Sequence, residues 1–291
     1  MLAAAEEGNT EHLISTLKYI RDINFKGDWK ETALHKAAQN GHTGIVELLL
    51  SKGALIEAMD ENNDTPLHFA AQSGHTSIVV LLLKNGASIQ ALNIYKNTPL
   101  HLAAQNGDTS TAKLLLCKGA SMDGKAYRTP LHLAAQNGHT SMAELLLSKG
   151  ASIEAMNTDE YTPLHLAAQN GHTSMADLLL SKGASIEAMN TEYTPLLLAA
   201  RNGHTSTVEL LLTKGAQMEA RQNLTGFTPL HEAVFFGQTS TVKLLLDKGA
   251  SMEAISGFGN TPLTVATYRG HLNIVQLLEN KAFDRPKKWV G

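Results

Sequence analysis

The apolar positions of this chain fall into pairs of short helical stretches, divided by polar links punctuated with glycine. After Thr162, residues Leu164, Leu166, Ala167 and Ala168 make a stretch with one very small face, which lets a neighbouring backbone approach closely. Thr162 is placed as the N-cap, its hydroxyl accepting from a first-turn amide, and Pro163 sits where a missing N–H costs nothing. Asn170-Gly171 ends this helix, glycine suiting the left-handed cap position. A second helix is predicted from Thr173 or Ser174. One block earlier, Ser141 and Glu144 have capping-box spacing, and Met142, Leu145 and Leu146 recur at i, i+3 and i+4 as an inward face. Lys149-Gly150 closes that helix with a cation at its negative end. Ala151 to Tyr161 then reads as an extended loop with a turn at its tip.

This pattern recurs along the chain. The block Thr129 to Tyr161 returns at Thr162 to Tyr193 with Asp177 in place of Glu144 and one acidic residue fewer before the tyrosine. A unit that returns almost unchanged is a building element, not a single active site. The opening threonines are Thr32, Thr65, Thr98, Thr129, Thr162, Thr194, Thr228 and Thr261, at spacings of 33, 33, 31, 33, 32, 34 and 33 residues. Leu2 to Gly8 aligns with His35 to Gly41, so a partial layer from residue 1 precedes eight full starts and makes nine layers. Such a period predicts an all-α solenoid whose layers bury their faces only against their neighbours. It forms one domain over residues 1–281, with a tail at 282–291. Ser15 and Thr16 stand where later layers have leucine, as in a polar end cap. The tail, with Phe283 and Trp289, is expected to be mobile, because Arg285, Pro286, Lys287 and Lys288 continue no repeat.

The T-P-L-H-x-A-A opening, the N-G-H turn, the L-L-L-x-K-G-A close and the period together resemble the ankyrin repeat family over essentially residues 1 to 281. The resemblance implies an ankyrin-repeat solenoid of antiparallel helix pairs stacked side by side, with loops projecting at right angles as β-hairpin fingers. It also implies a non-catalytic interaction module or scaffold, whose fingers and first helices line a concave face that receives a partner protein. The alternative is the recognition arm of a larger multidomain enzyme or of a host-directed effector.

Composition narrows the partner. A formal charge of -3 over 291 residues argues against nucleic acid, whose binding needs a basic surface to displace counterions. No run approaches the ~18 apolar residues of a membrane span, so membrane insertion is not expected, and the start lacks the basic region of a signal peptide. The lone Cys117 allows no intrachain disulfide and reads as an ordinary exposed thiol. An intracellular, cytoplasmic monomer is the expectation, with the nucleus or delivery into a host cell also compatible.

Thirteen histidines suggest catalysis or metal binding, but twelve occupy two repeat positions. His35, His68, His101, His132, His165 and His231 follow the T-P-L; His42, His75, His139, His172, His204 and His271 follow the glycine. Residues locked to the repeat serve the repeat, here by hydrogen bonds from one layer to the next. The acids Glu57, Glu154, Glu187, Glu219 and Glu253 also share one position and read as a solvated ladder. With no unrepeated polar cluster, no enzyme activity, cofactor or metal is expected.

Specificity should reside where the layers differ. Just before the threonines stand Glu31, Asp64, Asn97, Arg128, Tyr161, Tyr193, Phe227 and Asn260. On the first helices the recurring Gln-Asn pair becomes Arg201-Asn202, Phe235-Phe236 and Tyr268-Arg269. The candidate partner-binding residues are therefore Tyr161, Tyr193, Phe227, Phe235, Phe236, Tyr268 and Arg269, since Tyr and Arg are enriched at interface hot spots. A competing reading packs Phe227 against Phe235 to brace the longer finger Arg221 to Phe227.

Overall fold

The structure, a computed structural model, describes residues 1–19, 21–122 and 127–283. Of the tail at 282–291 that is expected to be mobile, Ala282 and Phe283 belong to the last helix, and residues 284–291, with Trp289, lie outside the described residues. The chain divides into two compact units, Met1–Ser152 and Ile153–Gly291. The first holds α1 (Leu2–Glu6), α2 (Thr10–Leu17), α3 (Ala33–Gln39), α4 (Thr43–Ser51), α5 (Pro66–Gln72), α6 (Thr76–Lys84), α7 (Pro99–Asn106), α8 (Thr109–Cys117), α9 (Pro130–Asn137) and α10 (Thr140–Ser148). The second holds α11 (Pro163–Gln169), α12 (Thr173–Ser181), α13 (Pro195–Arg201), α14 (Thr205–Thr213), α15 (Pro229–Phe235), α16 (Thr239–Asp247), α17 (Pro262–Arg269) and α18 (Leu272–Phe283). Within each unit the first helix of a layer packs on the first helix of the next, and second helices pack on second helices.

The T-P-L-H opening builds a capping box in which histidine does the work usually given to glutamate or glutamine. In α11, Thr162 Oγ1 accepts from the His165 amide, and His165 Nδ1 accepts from the Thr162 amide at 3.2 Å. The far ring nitrogen reaches the next layer. His165 Nε2 donates to the Tyr193 carbonyl at 3.1 Å, as His35 does to Asp64, His68 to Asn97 and His231 to Asn260. A ring that accepts at Nδ1 and donates at Nε2 must be neutral. The second histidine position runs the other way: His42, His75, His139, His204 and His271 donate to a carbonyl at the end of the preceding first helix.

That contact explains a glycine. Gly171 has φ +73°, and a Cβ there would come within 2.4 Å of the His204 ring. The position needs both the left-handed backbone and the empty space.

The structure revises three local expectations. Ser141 and Glu144 form no capping box, because the N-cap of α10 is His139, whose side chain is turned to the Gln105 carbonyl. The buried face of α10 is Met142, Ala143 and Leu146, with Leu145 only half-buried. The acid ladder is not merely solvated: Glu57, Glu154, Glu187 and Glu219 each accept the amide of the residue after the next layer's Gly-Ala, at 2.7–2.8 Å. Glu57, Glu154 and Glu219 are exposed and Glu187 is half-buried, yet all four tie consecutive loops.

The fingers are hairpin-like turns, and no strand occurs among the described residues. Asn157 and Tyr161 close one finger through backbone bonding, with Glu160 at φ 62°. The next finger closes from Asn190 to Tyr193. The missing acidic residue therefore shortens the tip and leaves the base in register.

Burial lowers the pKa of His35, His68, His101, His165 and His231, with His101 and His165 at about 4. A group lowered on folding is protonated first in the unfolded chain, so its stabilisation is full above the ordinary value of 6.5 and is lost as pH falls toward the folded value. Buried Asp64 and Glu232, raised to about 6 and about 7, oppose this trend, but they are outnumbered. His165→Leu is expected to lower stability at neutral pH by about 1–2 kcal/mol, leaving the Thr162 amide and Tyr193 carbonyl short of partners. It should also remove on the order of 2 kcal/mol of the stability lost between about pH 7 and pH 5. Urea unfolding of both proteins at the two pH values measures each effect.

Candidate functional site

In the second unit the variable positions converge. Tyr193, at the base of the finger before α13, is held from behind by two backbone bonds: Asn190 Oδ1 accepts its amide, and His165 donates to its carbonyl. Its ring is thereby set beside Arg201, the last residue of α13. Arg201 Nη1 donates to the Tyr193 hydroxyl, and its guanidinium carbon lies 5.1 Å from the Tyr193 ring centre and 4.5 Å from that of Phe236. One cation thus locks two aromatic side chains from neighbouring layers.

Phe235 and Phe236 end α15, with ring centres 5.1 Å apart in an edge-on arrangement. Arg269, from α17, covers Phe235 at 4.3 Å and donates from Nε to the Phe235 carbonyl. Phe227 stacks on His231 at 5.3 Å and lies 5.7 Å from Phe235; at 8% exposure it is a wall with little free surface. The finger carrying Phe227 is longer than its predecessors and is pinned differently. Arg221 Nη1 donates to the carbonyls of Gly226 and Ile255, and the Gly257 amide donates to the Thr225 carbonyl. A Cβ on Gly226 would come within 2.7 Å of the Gly257 nitrogen, so the two fingers meet only through glycine. This places Phe258, 69% exposed, beside the same site.

The result is a groove of about 570 Å³ with aromatic walls. Of the seven residues expected from sequence, Tyr193, Phe227, Phe235, Phe236 and Tyr268 line it. Arg269 braces Phe235 from α17, and Tyr161 sits edge-on to His165 at 5.8 Å, outside the lining. Tyr268 is 87% exposed and Phe236 39%. Exposed aromatics also occur on fingers of the first unit, such as Trp29 and Tyr95, without converging in this way.

The candidate set left out Arg201, Phe258 and Glu232, which line the groove along with Thr225, Asn260, Thr264 and Val265. A signal for Glu232 was present. It occupies the position held by Phe69, Leu102, Leu133, Leu166, Leu198 and Val265, and by Lys36 in the layer of Thr32, so a carboxylate interrupts a mostly apolar register. No comparable pattern marks Phe258, which depends on how two fingers meet.

A family model described as ankyrin repeats (three copies) matches residues 1–93, 56–126, 91–157, 153–222, 188–256 and 219–287, together spanning nearly the whole chain. The crystal structure of the human ASB11 ankyrin repeat domain is similar, with a TM-score of 0.70 at 28% sequence identity over 76% of this chain and 99% of that one. Among curated proteins no sequence matches.

Glu232 is 3% exposed. Burial, only partly offset by Arg201, raises its pKa to about 7. For a carboxyl raised on folding, the penalty is absent below the ordinary value of 4.5, grows as pH rises toward the folded value and is full above it. Glu232→Leu, which restores the residue type of most other layers, is expected to stabilise the protein by on the order of 3 kcal/mol at about pH 8. The gain should shrink toward about pH 5, and thermal melts across that range would show it.

Proposed function

This chain belongs to the ankyrin-repeat family, and from that premise we propose that it binds a partner protein through the concave face of its second unit, with the groove between Tyr193 and Tyr268 as the main contact. Ankyrin repeats are generally protein–protein interaction modules, and the fold is typically a non-catalytic scaffold. The observation that carries the reading is the convergence of five sequence-variable aromatic residues on one groove. Aromatic and arginine side chains in one cluster are the usual composition of a binding hot spot, and an exposed apolar patch at such a place favours a partner. The repeat histidines support a structural rather than catalytic role for themselves, since their ring nitrogens are spent on caps and on neighbouring layers.

Here no described helix is long and apolar enough to cross a membrane. The partner in this reading is another protein, met by a preformed surface: Arg201 already holds Tyr193 and Phe236, so little ordering remains to be done on binding.

Affinity capture with proximity labelling would identify the partner. Against it, Phe236→Ala and Tyr193→Ala are each expected to weaken binding at least about tenfold, with unchanged circular dichroism. Undiminished binding by both folded variants would remove the groove from the interface.

A further inference from the structure

The groove contains one group that its own walls leave unmet. Glu232 lines it while 3% exposed. Among the described residues no hydrogen bond, and no ion pair within 4.0 Å, reaches its carboxylate. Burying most of a carboxyl side chain without such partners is costly, and six of the other layers build the same helix with an apolar residue there, the layer of Lys36 being the exception. The repeat does not need Glu232.

We propose that the groove receives a basic side chain of the partner protein, lysine or arginine, its cationic head on the Glu232 carboxylate and its alkyl stem along the aromatic walls. The proposal rests on the protein-binding reading and names the chemistry that the site selects. A cation supplies the missing hydrogen-bond donors, and aromatic faces attract it further once it is desolvated.

The resident arginines do not fill this role. Arg201 is engaged by the Tyr193 hydroxyl and two ring faces, Arg221 by two backbone carbonyls, and Arg269 by the ring and carbonyl of Phe235. The charged and titratable groups around Glu232 are Arg201 on α13, Glu192 and Tyr193 on the preceding finger, His231 beside it on α15, Arg221 on the finger before α15, and Tyr268 and Arg269 on α17. Glu192 adds negative charge and Arg201 offsets it. His231 is held neutral by its own capping box. Glu232 therefore remains the group that responds to an incoming cation near neutral pH, and binding of that cation expels its proton.

The test uses the full chain and four acetylated, amidated pentapeptides with lysine, arginine, norleucine or glutamate between alanines. Titrations are followed by amide NMR shifts at Phe236 and Tyr268. The lysine and arginine peptides are expected to bind at least about tenfold more tightly than the norleucine peptide, to tighten from about pH 6 to pH 8, and to release a proton detectable by calorimetry in buffers of different ionisation enthalpy. Glu232→Gln should abolish the preference of the lysine and arginine peptides over the norleucine peptide. Equal binding of norleucine and lysine, a preference that survives Glu232→Gln, or no shift by any peptide up to roughly 10 mM would each overturn the proposal. If the captured partner still depends on Phe236 and Tyr193 after such a result, the basic-side-chain proposal fails alone. If it depends on neither, the binding face itself is lost.

Discussion

The imidazole ring of the T-P-L-H histidine is the contact on which the rest of this structure depends. Its Nδ1 closes the helix that begins its own layer, and its Nε2 holds the base of the next layer's finger. A single neutral ring therefore couples helix initiation to stacking, so local and inter-layer order are gained together. This coupling supplies what a single short helix lacks, since helices of seven or eight residues are marginal without tertiary support. The coupling also requires a buried, uncharged imidazole, which links the stability of the array to pH.

Fixing the backbone in this way leaves the side chains at finger bases and helix ends free to differ. Tyr193 illustrates the division of labour: its carbonyl belongs to His165 and its amide to Asn190, whereas its ring and hydroxyl belong to the groove. The repeat supplies position and the substitution supplies chemistry. At Tyr193, Arg201 and Phe236 the guanidinium ties together side chains from neighbouring layers.

Much of this was legible in the sequence because helix caps and glycine turns act locally. Thr-Pro starts, Asn-Gly stops and small alanine faces each identify their own helix, and the inward convergence of Tyr193, Phe235, Phe236 and Tyr268 follows once their shared repeat positions are aligned. What could not be read depended on contacts about thirty residues apart. The Glu154 carboxylate reads as a solvated acid until the Ser185 amide is seen against it. Ser141 and Glu144 carry the spacing of a capping box, yet His139 claims the cap because its ring has a carbonyl to reach in the previous layer. Tertiary partners overrode local preference in both cases.

The interior break in the T-P-L-H pattern lies beside the groove, and its position is consistent with the groove's construction. Leu197 stands where the other interior layers carry the capping histidine, so the following finger has no imidazole donor from behind. That finger is the longer one, from Arg221 to Phe227, and it is held instead by Arg221 across two carbonyls and by the close glycine contact with the finger after it. In this finger Phe227 stacks on His231, as Tyr161 sits against His165, and Phe258 of the next finger lies beside the groove. The next layer then carries Glu232 where the repeat calls for an apolar residue. Two adjacent layers thus depart from the pattern in ways that weaken the array locally, and both departures shape one cavity.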